Sequence, residues 1–174
     1  MKIAILGAGY VGLCTGIGFA MKGHDVTCVD VDAERVELIN RGKVPFFEHG
    51  LQENLRKYLR KKTFRASRTI GGPDIVFICV GTPENAQGAI DLSYVKEAAQ
   101  AAGAAAATSN CLVVVKSTVV PGTTESVIIP LLERAAGKPV GFRCLGAALC
   151  GGGGGSAPGS ERRMALAGRN HLAD

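Results

Sequence analysis

Residues 2–32 read KIAILGAGYVGLCTGIGFAMKGHDVTCVDVD. Lys2–Leu6 is a short apolar run stopped by glycine, the pattern of a parallel strand buried on both faces. Apolar and small residues then recur at helical spacing over residues 10–22, and Gly23 is a natural stop. Residues 25–30, DVTCVD, form a second strand that closes on a lone carboxylate, Asp30. Between strand and helix sits G-A-G-Y-V-G, with glycines at 7, 9 and 12. At such a corner Gly7 permits the tight turn, Gly9 lets the main chain approach a diphosphate, and Gly12 lets helix and strand close together. The helix start offers free N–H groups and the positive end of its dipole to the phosphates. The glycine spacing alone recurs by chance. Here a strand precedes it, a helix follows, and an acid stands 18 residues beyond Gly12, which makes it a dinucleotide site.

Asp30 is expected to accept hydrogen bonds from the adenosine ribose, each contributing about 1.5–3 kcal/mol. It also disfavours the extra phosphate of NADP. Arg35 argues mildly the other way, because it could reach such a phosphate. The acid is nearer the sugar, so NAD is the expected cofactor. The plainer role for Asp30 is a cap for the next helix.

Outward from this stretch, strands and helices alternate. DAERVELINRG reads as a helix capped by Asp32 and ended by Gly42. KVPFFEHG is a loop, and residues 51–62 form another helix. FRAS is a weak strand, and residues 74–80, DIVFICV, are a strong one. A long alanine-rich helix follows, with Asp91 or Ser93 as its N-cap. Residues 111–118, CLVVVKST, form a buried strand, and PGTTESVIIPLLERAAG a helix with Pro121 near its start and Gly137 after its end. The alternation implies βαβ units, right-handed crossovers and a doubly wound, mostly parallel α/β sheet of Rossmann type over residues 1–140. Beyond 141 the chain holds five consecutive glycines and few branched apolar residues. Such a segment, 141–174, is expected to be a disordered tail.

The chain has 174 residues and a net charge of +5, which suits one domain with a real core. No uncharged apolar stretch reaches the ~20 residues that span a bilayer, and the N-terminus is not a signal peptide. A cytoplasmic protein that contacts no membrane is expected. The six cysteines include no CxxC pair, so reduced structural thiols are expected rather than disulfides or a zinc site. The basic run RKYLRKKTFR, Arg56 to Arg65, is expected to be a solvated helix face and not a nucleic-acid surface. His24, His49 and His171 have no partner cluster and are assigned neither metal nor catalysis.

The segments ILGAGYVGL, VDVDAERVELINRG, FFEHGL, FICVGTP and VVVKSTVVPGTTESVIIPLLE together resemble the N-terminal domain of the UDP-glucose/GDP-mannose dehydrogenase family. The likeness covers about residues 1–140. It implies a cofactor domain of an enzyme that oxidises a nucleotide sugar's C6 hydroxyl to a carboxylate with two NAD. UDP-glucose is the favoured substrate and GDP-mannose the alternative. It also implies that Gly7, Gly9, Val11 and Gly12 line the pyrophosphate, with Tyr10 among the cofactor-binding residues. Asp30 would hold the ribose, Arg35 would contact the adenosine side, and Thr82 would meet the cofactor at its strand's end. Thr118 would touch the cofactor and help position the catalytic water. Thr82 before Pro83 could instead be a turn residue, and Thr118 a plain strand end. Glu48 matches a Y-E-P-G-L loop of the family, with His49 in place of its proline.

Departures from the family pattern set further expectations. The crossover ASRTIGGPDIVF is short, so a helix there should be cut to a turn. The NPEFLREG segment, with its proton-transferring glutamate, is replaced by FRCLGAALCGGGGG. The family's reactive cysteine and its partners belong to a substrate domain that this sequence does not contain, and Cys150 does not match it. A shifted reading frame or early stop is the expected origin. The chain alone should bind NAD without oxidising UDP-glucose; the other reading is a non-catalytic NAD-binding fragment, which should carry an exposed apolar sheet edge where a sixth strand would sit. The oligomeric state is left open.

Overall fold

A computed structural model describes residues 1–86, 88–109, 111–137, 144–146 and 166–167. Strands β1 (Lys2–Leu6), β2 (Asp25–Val29), β3 (Phe64–Ser67), β4 (Ile75–Ile78) and β5 (Leu112–Val115) form a parallel sheet in the order β3-β2-β1-β4-β5. Helix α1 (Tyr10–Met21) links β1 to β2, and α2 (Ala33–Asn40) and α3 (Leu51–Arg60) lie between β2 and β3. Helix α4 (Ser93–Ala107) links β4 to β5, and α5 (Ile129–Ala136) follows a π-helical turn at Thr124–Ile128. The strand order reverses between β1 and β4, and ligands of doubly wound folds bind beyond the strand ends at that point. The expected doubly wound α/β class is the observed one.

The residues of β1 alternate between two cores, as a strand buried on both faces requires. Ile3 and Ile5 join Leu13 and Ile17 of α1, Leu55 of α3 and Phe64. Ala4 and Leu6 join Val95, Ala99 and Ala102 of α4, and Ile128 and Leu132 near α5. Alanines let α4 approach α5 closely. A Cβ at Gly103 would stand 2.7 Å from both Ala135 Cβ and the Leu132 carbonyl oxygen.

Several boundaries differ from the sequence expectation. Strands β4 and β5 stop at Ile78 and Val115. Lys116, Ser117 and Thr118 therefore lie past the strand end. Pro121 lies in the turn before the last helix, and the proline inside it is Pro130, at the junction of its π and α turns. Proline lacks the N–H that an α-helix would use there, and one widened turn accommodates the loss. Helix α4 starts at Ser93, so its N-cap is Leu92 and not Asp91 or Ser93; Asp91 lies one residue earlier, where its Oδ1 accepts the Ser93 N–H at 2.8 Å and satisfies one orphan donor of the helix. Hydrogen bonding to Ser93 accordingly holds the Asp91 carboxyl below its ordinary value.

The short crossover from β3 to β4 contains no helix, as its length implied. Its Ile70 packs against the core under α4 and α5. At the β3 edge, the Asn40 amide bonds both the N–H and the carbonyl of Ala66, each at 2.9 Å. The opposite edge is not open as expected, because β6 (Cys144–Gly146) pairs in parallel with β5. Strand β7 (Leu166–Ala167) pairs antiparallel with β6. The rest of 141–174, on which the expectation of a disordered tail falls, lies outside the described residues, as do Cys150 and His171. Cys14, Cys28, Cys79 and Cys111 are free thiols. Among the described residues no helix is long and apolar enough to cross a membrane.

Candidate functional site

The three glycines of the first corner stand in three different steric situations. Gly7 has φ +99°, and a Cβ there would lie 2.8 Å from the Cys79 carbonyl oxygen. Both the backbone angle and the closeness of the β4 end exclude a side chain. Its N–H donates to the Val29 carbonyl at 2.8 Å, which ties the corner to β2. Gly12 is more crowded still, since a Cβ would fall 1.9 Å from the Gly7 carbonyl oxygen. Gly9 is the opposite case. It precedes α1 with an ordinary φ of −76°, no side chain caps the helix, and a Cβ would meet nothing within 4 Å. The space before the uncapped amides of α1 is therefore open, which fits an anionic diphosphate.

Tyr10 and Val11 begin α1 and are both exposed. The Tyr10 hydroxyl donates to Glu48 Oε2 at 2.6 Å, and its ring lies 5.1 Å from that of Phe46. This bond to an anion raises the phenol above its ordinary pKa. Sequence reading singled out both residues but not their contact. A cavity of about 610 Å³ is lined by Val44, Phe46, Phe47, Glu48 and His49. Glu48 links it to the α1 corner.

Asp30 follows β2 directly and is 8% exposed. Its Oδ2 accepts from the Ala8 N–H at 2.8 Å, and its Oδ1 from the Asp32 N–H at 3.0 Å. Arg35 Nη1 approaches Oδ2 at 3.3 Å. The carboxylate thus braces the glycine corner from the neighbouring strand. A carboxylate has about four acceptor positions, and Oδ1 retains capacity for a ribose hydroxyl. The cap of α2 is Asp32, whose Oδ1 accepts the Arg35 N–H at 3.1 Å. The plainer alternative for Asp30 is therefore filled by its neighbour.

The second half of the crevice is formed past β4 and β5. Half-buried Thr82 follows β4, and exposed Thr118 follows β5. Buried Ser117 lies between them, its Oγ donating to the Val80 carbonyl at 2.7 Å and its N–H to the Ile78 carbonyl at 3.0 Å. The hydroxyl fastens the two loops together. Sequence reading missed it, and the only available signal was a small hydroxyl residue ending an apolar run. Ser117→Ala leaves the Val80 carbonyl without that donor, so a loss of about 1–2 kcal/mol is expected in urea unfolding. An unchanged midpoint would show that Ser117 does not hold the loops. Cys79 lies beneath this crevice, where burial pushes its thiol up to about 11, with Lys116 pulling the other way.

A sequence profile described as the UDP-glucose/GDP-mannose dehydrogenase family, NAD binding domain, matches residues 1–145. GDP-mannose 6-dehydrogenase of Pseudomonas syringae is 40% identical over 148 residues, covering 81% of this chain and 34% of that protein. UDP-glucose 6-dehydrogenase of Pseudomonas aeruginosa is 46% identical over 131 residues, covering 73% of this chain and 29% of that protein. A ternary complex of GDP-mannose dehydrogenase from Pseudomonas aeruginosa superimposes with a TM-score of 0.80 at 36% identity, covering 84% of this chain and 35% of that one. UDP-glucose dehydrogenase from Pyrobaculum islandicum gives 0.77 at 37% identity, with 83% and 35% covered. The chain spans about a third of the length of these curated relatives.

Proposed function

Since this chain belongs to the UDP-glucose/GDP-mannose dehydrogenase family and carries its NAD-binding domain, we propose that it holds NAD across the first corner for oxidation of a nucleotide sugar at C6. The observation that carries this is the open space at Gly9 between two glycines that packing demands, with Asp30 buried beside them. Gly7, Gly9, Tyr10, Val11 and Gly12 surround the diphosphate, with main-chain amides of the α1 start as donors. Asp30 accepts from the adenosine ribose, and Arg35 stands on the adenosine side. Thr82 and Thr118, just past the ends of β4 and β5, would hold the nicotinamide half. Thr118 also helps position the water that supplies the second oxygen of the product carboxylate.

When bound, NAD supplies the hydride acceptor for each of the two oxidations. The residues described here bind and orient, and thiol chemistry is not among their tasks. Burial pushes the Cys28 and Cys79 thiols well up, and Cys14 is raised for the same reason. A covalent adduct needs a thiolate, which these surroundings disfavour. The 174-residue chain is expected to bind NAD without turning over sugar by itself, and none of Cys14, Cys28 and Cys79 is a candidate nucleophile.

UDP-glucose is the proposed sugar, supported by the 46% identity to the Pseudomonas aeruginosa enzyme. The second reading is GDP-mannose, favoured by matches that extend over 148 residues. Calorimetry with NAD, followed by absorbance of NADH after adding each sugar nucleotide, tests the proposal. Binding without NADH formation is the expected result; failure to bind NAD would overturn the cofactor site, whereas NADH formed by this chain alone would overturn only the expectation that it does not turn over sugar by itself. Faster turnover of GDP-mannose than of UDP-glucose by an enzyme carrying this domain would select the second reading.

A further inference from the structure

Arg35 is held at both ends by one residue. Its N–H donates to Asp32 Oδ1 at 3.1 Å, and its Nη2 stands 3.6 Å from Asp32 Oδ2. The other terminal nitrogen, Nη1, lies 3.3 Å from Asp30 Oδ2. The guanidinium is thus bridged between two carboxylates, and the three side chains together carry one net negative charge. Burial does not enforce the arrangement, because the Arg35 side chain is 40% exposed and that of Asp32 42%.

In dinucleotide folds the acid at this strand end bonds the ribose 2′-hydroxyl, and a nearby arginine accommodates a 2′-phosphate where NADP is used. This chain has both the acid and the arginine. Charge alone would let Arg35 serve as a phosphate clamp, since its planar fork suits phosphate oxygens. In this structure one arm of the fork, Nη1, is bonded to Asp30, and the other, Nη2, stands in ion-pair range of Asp32.

We propose that Asp32 is a specificity determinant: by clamping Arg35 against Asp30 it denies the guanidinium to a 2′-phosphate and sets a preference for NAD over NADP. The inference rests on the cofactor site proposed above. Replacing Asp32 by a neutral residue makes the trio electrically neutral and frees Nη2. Asparagine and serine both keep an N-cap acceptor for the Arg35 N–H, so α2 retains its start.

The test is calorimetric titration of the intact chain with NAD and with NADP. Wild type, Asp32→Asn, Asp32→Ser and the double variant Asp32→Asn with Arg35→Ala are compared. The ratio of NADP to NAD dissociation constants is expected to fall about five- to tenfold in both single variants. The fall should be larger at low ionic strength, and absent when Arg35 is also removed. An unchanged ratio in both single variants, with wild-type melting curves, overturns the clamp. A gain that survives loss of Arg35 overturns it as well, because relief of repulsion by Asp32 would then suffice. Wild-type protein that binds neither nucleotide would instead overturn the cofactor site itself.

Discussion

Replacing Gly12 by alanine should cost about 3–5 kcal/mol, enough to unfold much of the population of a marginally stable domain. The added carbon would sit 1.9 Å from the Gly7 carbonyl oxygen and 3.3 Å from Ile5 Cγ2. The nearer obstacle is main chain, so no side-chain rotation relieves it. To make room, α1 must move away from β1, and the core containing Leu13 and Ile17 opens with it. Gly9→Ala is the informative control. Its φ of −76° suits any residue and nothing lies within 4 Å of the new methyl, so stability should change by less than about 1 kcal/mol. In the proposed site the methyl would nonetheless stand in the diphosphate's path, and NAD affinity should then fall at least about tenfold. Urea unfolding and calorimetry on the two variants separate packing from binding. Equal stability losses at both positions would contradict the division of roles.

Asp30→Ala should weaken NAD binding about ten- to a hundredfold, from loss of charge-assisted bonds to the ribose. The fold should suffer too, because the buried Ala8 N–H loses its acceptor at 2.8 Å. An orphaned buried donor costs about 1–3 kcal/mol. Asp30→Asn keeps one carbonyl oxygen for Ala8 and should recover part of the stability while still binding NAD less tightly than wild type. Undiminished NAD affinity in both variants would remove Asp30 from the site and leave it a purely structural brace.

The legible parts of this molecule are those set by near neighbours in sequence. The glycine corner, the acid ending β2 and the αL stop at Gly137, with φ +65°, all follow from short-range patterns. Contacts between distant segments have no such signature. Tyr10 meets Glu48 across 38 positions and Ser117 meets Val80 across 37, and neither spacing is periodic. Asp30 shows both sides of this. Its place at the strand end is plain in DVTCVD, but its bond to Ala8 is visible only once β1 and β2 lie side by side. The sequence extends β4 to Val80 because apolar character continues through Cys79 and Val80, and β5 to Thr118. The paired strands end at Ile78 and Val115, and just past them the Cys79 and Lys116 N–H groups still bond the Leu6 and Ile78 carbonyls.

The contact at Gly103 has a mechanical consequence. With no side chain separating them there, α4 and α5 pack directly against each other over one shared core under one side of the sheet. The loop bearing Thr82 feeds the front of α4, and the turn bearing Thr118 leads toward α5. Each is anchored at its far end to the same helix pair and stitched to the other at its near end by Ser117. The two rims of the crevice are therefore joined at their roots, where Ser117 binds the Val80 carbonyl, so a displacement of one root pulls on the other.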